Sequence, residues 1–96
     1  MEIIHLTNQN FKELINEKVL VDFYANWCGP CKMIAPELEK TESFIKLVKV
    51  DVDEHEDLAR TYGVMSIPTL ILFDKEKEVK RNIGFMDKNK IENFIN

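Results

Sequence analysis

Glycine, proline and cysteine are scarce: three, three and two among 96 residues. Chains that depend on Gly/Pro repeats or low-complexity tracts are therefore excluded. No apolar run reaches the length of about eighteen residues that a membrane span needs. Basic residues do not cluster. Lys and Arg number 13 against 17 Asp and Glu, for a net charge of −4, so the electrostatic footprint of a nucleic-acid binder is missing. The start, Met1-Glu2-Ile3-Ile4-His5, has no basic n-region, long apolar stretch or small-residue cleavage site. A cytoplasmic location is the expectation. The only cysteines are Cys28 and Cys31. A bond between them closes too short a loop to staple a fold, so the pair is expected to serve chemistry or bind metal.

What remains is ordinary globular material, 45% hydrophobic and 31% charged. That is enough to form a core and excludes disorder as the main state. The length fits one domain spanning residues 1–96, with no repeat or linker.

Ile3, Ile4 and Leu6 predict an edge strand. Thr7 or Asn8 is the expected cap of a helix carrying Phe11, Leu14 and Ile15 at i, i+3, i+4 spacing. Val19-Leu20-Val21-Asp22-Phe23-Tyr24 reads as a strand covered on both faces. The turn Ala25 to Cys31 leads into a helix with Pro30 in its first turn. Ile34 and Leu38 carry that helix to about Ser43, with Pro36 inside it as an expected kink.

Phe44 to Val52 holds a strand with valines at 48, 50 and 52. Glu54 to Tyr62 predicts a short helix with Leu58 and Ala59 inward and Gly63 as its C-cap. Pro68 to Phe73 is a third apolar strand, Asp74 to Glu78 a polar turn, and Val79 to Ile83 a short strand broken by Gly84. Met86 to Ile95 closes the chain as a helix. Early strand–helix alternation implies a parallel sheet core, and the last two strands an antiparallel hairpin beside it. The expected class is α/β: a mixed sheet, with a parallel core and an antiparallel C-terminal hairpin, flanked by helices on both faces.

A Cys-x-x-Cys pair opening a helix after a buried strand has a physical logic. The helix N-terminus offers free N–H groups and the positive end of the macrodipole, and both favour thiolate over thiol. One helical turn lets the second sulfur reach the first. Cys28 is then expected to be the exposed nucleophile and Cys31 the more buried resolving thiol. The alternatives are two cysteines with no role, which the Trp, Gly and Pro packed around them disfavour, and half of a zinc site. Structural zinc needs a full tetrahedral ligand set, no second cysteine pair exists, and His5 and His55 sit in unrelated elements.

Trp27-Cys28-Gly29-Pro30-Cys31-Lys32 resembles the thioredoxin active-site motif residue for residue. Val21-Asp22-Phe23, Met33-Ile34-Ala35-Pro36, Val50-Asp51-Val52-Asp53, Tyr62-Gly63-Val64, Ile67-Pro68-Thr69-Leu70 and Gly84 are similar to the same family, in order, from about Ile3 to Ile95. The resemblance implies the thioredoxin fold and a protein-disulfide reductase working by thiol–disulfide exchange. Cys28 attacks a substrate disulfide and Cys31 resolves the mixed disulfide.

The family places an Asp matching Asp22 beneath the cysteine pair as proton acceptor for the resolving thiol, with a Lys matching Lys49 near it. From the residues alone, Asp22 could equally sit at a strand end facing water, and Lys49 is only a charge among valines. The resemblance also implies a cis bond before Pro68. It implies an apolar rim of Trp27, Gly29, Pro30, Ile67, Pro68 and Gly84 for protein substrates, with Ile67 offering its backbone for strand-like pairing. By itself Trp27 could instead be a core residue, and Pro68 a strand-start proline.

No cofactor or metal is expected beyond the Cys28–Cys31 disulfide. NADPH and flavin belong to the thioredoxin reductase that the resemblance implies as a partner, alongside disulfide-containing protein substrates. A monomer is expected. A second reading keeps the fold as a binding or scaffold subunit whose cysteines are dispensable. Three departures from the family stand out. Tyr24 replaces a frequent Trp. The span from Pro36 to Lys49 is about four residues short, roughly one helical turn. The Asp74–Glu78 hairpin lacks its usual Gly, so a longer or differently shaped turn is expected.

Overall fold

In a computed structural model describing residues 1–96, the elements run β1 (Ile3–His5), α1 (Phe11–Leu14), β2 (Val19–Tyr24), α2 (Gly29–Lys40), β3 (Lys46–Asp51), α3 (Glu56–Thr61), β4 (Thr69–Asp74), β5 (Lys77–Ile83) and α4 (Lys88–Ile95). One five-stranded sheet has the order β1-β3-β2-β4-β5. β3 pairs in parallel with both β1 and β2. β4 lies antiparallel to β2 and to β5. The parallel part and the antiparallel hairpin therefore meet at β2, which becomes the centre of the molecule.

Strand alternation divides the core in two. Val19, Val21 and Phe23 pack on one face with Val48, Val50, Ile71, Phe73, Phe11 of α1 and Ile15 just past it; Leu58 and Tyr62 of the α3 region close over them. Leu20 packs on the other face with Leu47, Leu70 and Leu72 against Ile34 and Leu38 of α2 and Ile91 and Ile95 of α4. With both faces covered, β2 has to be apolar along its whole length. Asp22 is the exception. It shares the face of Leu20 and pairs in register with Lys49 on β3, so a carboxyl is buried on the side where α2 lies.

Several boundaries differ from the sequence reading. The cap of α1 is Asn10, whose side chain accepts from the Glu13 N–H at 3.2 Å; Thr7 instead engages Gln9 through both its N–H and its hydroxyl. α2 ends at Lys40, short of Ser43, because Thr41 turns extended and its hydroxyl donates to the Glu37 carbonyl at 2.8 Å. β3 starts at Lys46, and Phe44 before it projects into solvent. α3 starts at Glu56 and α4 at Lys88, the latter capped by Asp87 with Met86 buried outside it.

At the end of α3, Gly63 (φ 63°) donates to Arg60 and Val64 donates to Ala59. This is a Schellman stop with Gly at C′. The hairpin is tight, against expectation. Asp74 pairs with Lys77, and Lys75 and Glu76 form the turn alone at φ 52° and 67°. Both residues occupy the left-handed conformation that glycine usually supplies.

Candidate active site

Cys28 is the N-cap of α2. Its Sγ accepts the backbone N–H of Cys31 at 3.2 Å, the position a Ser or Asp side chain takes at an ordinary helix start. Pro30 has no N–H to offer in this turn, and Cys31 supplies the donor. Negative charge on Cys28 Sγ thus meets an N–H group and the positive helix end together. Cys28 and Cys31 form a disulfide with Cα atoms 5.2 Å apart. The expected contrast in exposure is absent, since both cysteines are 5% exposed. What separates them is their surroundings. Cys28 Sγ lies 3.8 Å from the Ile67 carbonyl oxygen. Cys31 lines a small, partly open pocket of about 170 Å³ with Tyr24, Ala25, Asn26, Lys32, Ala35 and Lys49.

Asp22, whose neighbour Lys49 lines this pocket, is 1% exposed, and neither carboxyl oxygen has a hydrogen-bond partner. Lys49 Nζ stands 3.9 Å from Oδ2, close enough for attraction but too far for a hydrogen bond. Burial pushes the Asp22 carboxyl up to about 6, and the Lys49 charge only partly offsets it. The Lys49 ammonium also rests 4.6 Å from the centroid of the Tyr24 ring.

The rim comes from three loops. Trp27 is 70% exposed, and its indole N–H donates to Asp53 Oδ2 at 2.8 Å. Asp53 is held in turn by Asp51, whose Oδ1 accepts the Asp53 N–H at 2.9 Å. Asp51 Oδ2 accepts from Asn26 at 3.3 Å. The Ile67–Pro68 bond is cis. Pro68 is buried, and its carbonyl accepts the Gly84 N–H at 2.8 Å. Gly84 has φ 99° with open space where a Cβ would stand, so the position needs glycine for conformation and leaves room for an approaching backbone. Gly29 and Pro30 are exposed beside Cys28.

An apolar groove of about 300 Å³ runs from Trp27 and Ile67 along Val52, Ala59, Val64 and Met65. Asp53 and the α3 side of this groove were not singled out from the sequence. Asp53 stands in the family-like run Val50-Asp51-Val52-Asp53, just past the expected strand end at Val52, with no role assigned to it. Met65, 95% exposed, gave only the signal of a lone apolar residue in a loop. No group of three or more His, Cys, Asp or Glu side chains is placed to hold a metal ion; His55 Nε2 lies 3.1 Å from the Leu6 carbonyl.

The Thioredoxin family model matches residues 2–96. The chain belongs to the thioredoxin family. It is 45% identical over 101 residues to a thioredoxin of Bacillus subtilis, an alignment covering 100% of this chain and 97% of the relative. A thioredoxin of Chlamydia caviae is 49% identical over 92 residues, covering 92% and 90%. Among solved structures, a mutant thioredoxin from Halobacterium salinarum superposes with a TM-score of 0.89 at 36% identity, covering 98% of this chain and 88% of that one. One from Nicotiana alata gives 0.82 at 33%, covering 98% and 90%.

The fold is the thioredoxin fold, and the closed cysteine pair sits where thioredoxin-family chemistry needs it. The chain is a dithiol–disulfide oxidoreductase. A scaffold with dispensable cysteines is not favoured by this combination.

Proposed function

We propose that this single domain reduces disulfides of protein substrates in the cytoplasm, with the residue roles that follow. The supporting observation is the Cys31 N–H aimed at Cys28 Sγ. In the reduced protein the Cys28 thiolate attacks one sulfur of a substrate disulfide. A Cys28–substrate bond forms, and the other substrate sulfur leaves as a thiolate that takes a proton from solvent. Cys31 then loses its proton to Asp22 and attacks Cys28 Sγ. The mixed disulfide breaks, the second substrate sulfur leaves as a thiolate that takes a proton from solvent, Asp22 gives its proton back to solvent, and the electron pair given to the substrate leaves a Cys28–Cys31 disulfide.

Asp22 suits the acceptor role because burial raises its proton affinity into the range where a carboxylate still predominates at neutral pH but can take up a proton. Lys49 tunes that affinity. Trp27, Gly29, Pro30, Ile67, Pro68 and Gly84 form the docking rim, with the Ile67 and Gly84 backbone available to an extended substrate segment. The chain acts as a monomer with no bound cofactor. A thioredoxin reductase carrying flavin and using NADPH returns the two electrons.

Equilibration in defined thiol buffers, followed by trapping, tests the direction of this chemistry. Thioredoxins as a class lie at about −270 mV. A value close to it supports a reductant. A value of about −180 to −120 mV belongs to isomerases and oxidants and would overturn both function and compartment.

A further inference from the structure

Tyr24 is the one departure from the family that touches the chemistry. It ends β2 two positions beyond Asp22, and the period of the strand puts both on the same side. The Lys49 ammonium stands between them, 4.6 Å from the Tyr24 ring centroid and 3.9 Å from Asp22 Oδ2. The same ring and the same ammonium line the pocket of Cys31. Lysine is a long, flexible side chain that prefers full hydration. With no hydrogen bond to the carboxylate, something else has to keep it at the pocket. The negative face of an aromatic ring does this by cation–π attraction.

We propose that Tyr24 is a positioning residue for the resolving step, holding the Lys49 ammonium over its ring and against the Asp22 carboxylate. The proposal rests on the reading that Asp22 accepts the Cys31 proton. The groups facing Asp22 are few. Lys49 comes from β3, with Asp51 farther along the same strand and near Tyr24. Cys31 and Lys32 of α2 share a pocket with Lys49 and Tyr24, which Asp22 itself does not line. The β4 partner, Leu70, is apolar and buried. Lys49 is thus the cation closest to the carboxyl, and its position sets how readily Asp22 stays ionised. Without the ring the ammonium moves out to water, Asp22 holds its proton more tightly, and less carboxylate is available to Cys31 at a given pH.

The test follows the Asp22 carboxyl carbon by NMR through a pH titration, alongside the pH profile for resolving a preformed mixed disulfide. Tyr24→Leu is expected to raise both midpoints by about half a pH unit, slowing resolution about threefold on the acid side. Tyr24→Phe restores them, because the ring and not the hydroxyl holds the cation. Tyr24→Trp, with the stronger ring face, moves them down, which keeps the test decisive if Tyr24→Leu does not fold. In a Lys49→Met background the Tyr24 substitutions are expected to have no effect on Asp22; equal shifts in both backgrounds would mean general packing and sink the proposal. An Asp22 midpoint unmoved by Tyr24→Leu or by Tyr24→Trp would overturn it as well. The underlying reading fails separately, if Asp22→Asn resolves the mixed disulfide as fast as the parent.

Discussion

The backbone N–H of Cys31 donates to Cys28 Sγ across 3.2 Å. In the proposed scheme one cysteine activates the other through its main chain, and its own side chain serves the second step. The two roles can be separated by mutation. Cys31→Ser keeps the N–H donor and removes the resolving sulfur. It is expected to attack substrates and stall, accumulating a mixed disulfide visible on a non-reducing gel. Cys28→Ser is expected to give neither adduct nor turnover, although Cys31 remains. Adducts forming at equal rates on the two variants would show that the helix start does not select Cys28.

Asp22 links the site to stability. Its proton affinity rises from 3.8 to about 6 on burial, so the native chain binds more protons than the unfolded chain between those pH values. Stability from this group is present below about pH 4 and is lost as pH rises through about 6. The gap corresponds to roughly 3 kcal/mol at 1.36 kcal/mol per pH unit. Asp22→Asn removes this dependence. Urea unfolding is expected to show the variant gaining roughly 2–3 kcal/mol on the parent between pH 4 and pH 8, while losing resolution rate. A difference between the two proteins that does not change with pH would contradict the burial account.

The sequence carried the centre of the fold more clearly than its margins. The middle strands β2, β3 and β4 were legible because strands buried on both faces, or on strictly alternating positions, leave an apolar signature that no loop produces. Cys28 and Cys31 were legible because helix-start chemistry ties their spacing to their role. Asp22 was recognisable as an acid in an apolar run, but its lack of any hydrogen-bond partner depends on what faces it across the sheet. The cap of α1 was misplaced because Thr7, Asn8 and Asn10 all carry capping side chains, and only the Thr7–Gln9 bonds settle which is free. The equal burial of the two cysteines, and the Trp27–Asp53 bond joining residues 26 positions apart, are products of packing that local pattern does not record.

The hairpin turn makes a stability prediction. Glu76 sits at φ 67°, a conformation that costs a residue with a Cβ about 1–2 kcal/mol. It is retained because the Glu76 N–H donates to the Ile15 carbonyl at 2.9 Å, tying the turn to the end of α1. Glu76→Gly keeps that bond and relieves the strain, against a smaller cost from the added entropy of the unfolded chain. The expected net gain is about 0.5–1 kcal/mol, a rise of about 2–8 °C in Tm for a domain of this size. Glu76→Val at the same position is expected to lower Tm. Calorimetry on both variants checks the sign, and a stabilising valine would show that the turn is not strained.

Asp53 offers a functional prediction outside the cysteine pair. Its carboxylate holds the indole N–H of Trp27 at 2.8 Å, and Trp27 forms one wall of the groove that continues to Met65. The bond is exposed, so its net worth is about 0.5–1 kcal/mol. Asp53→Ala frees the indole to sample other rotamers and asks each incoming substrate to reorder it. That ordering is an added cost of docking rather than of sulfur exchange. KM for a protein disulfide is expected to rise about two- to fivefold, with the larger effect on KM than on kcat. Asp53→Asn retains an acceptor and is expected to recover most of the loss. Steady-state kinetics with a folded disulfide substrate and with a small aromatic disulfide separates the two contributions. The small disulfide needs no extended groove and is expected to react at nearly the parent rate. An equal loss on both substrates would place the Asp53 effect at the sulfurs instead of at the groove.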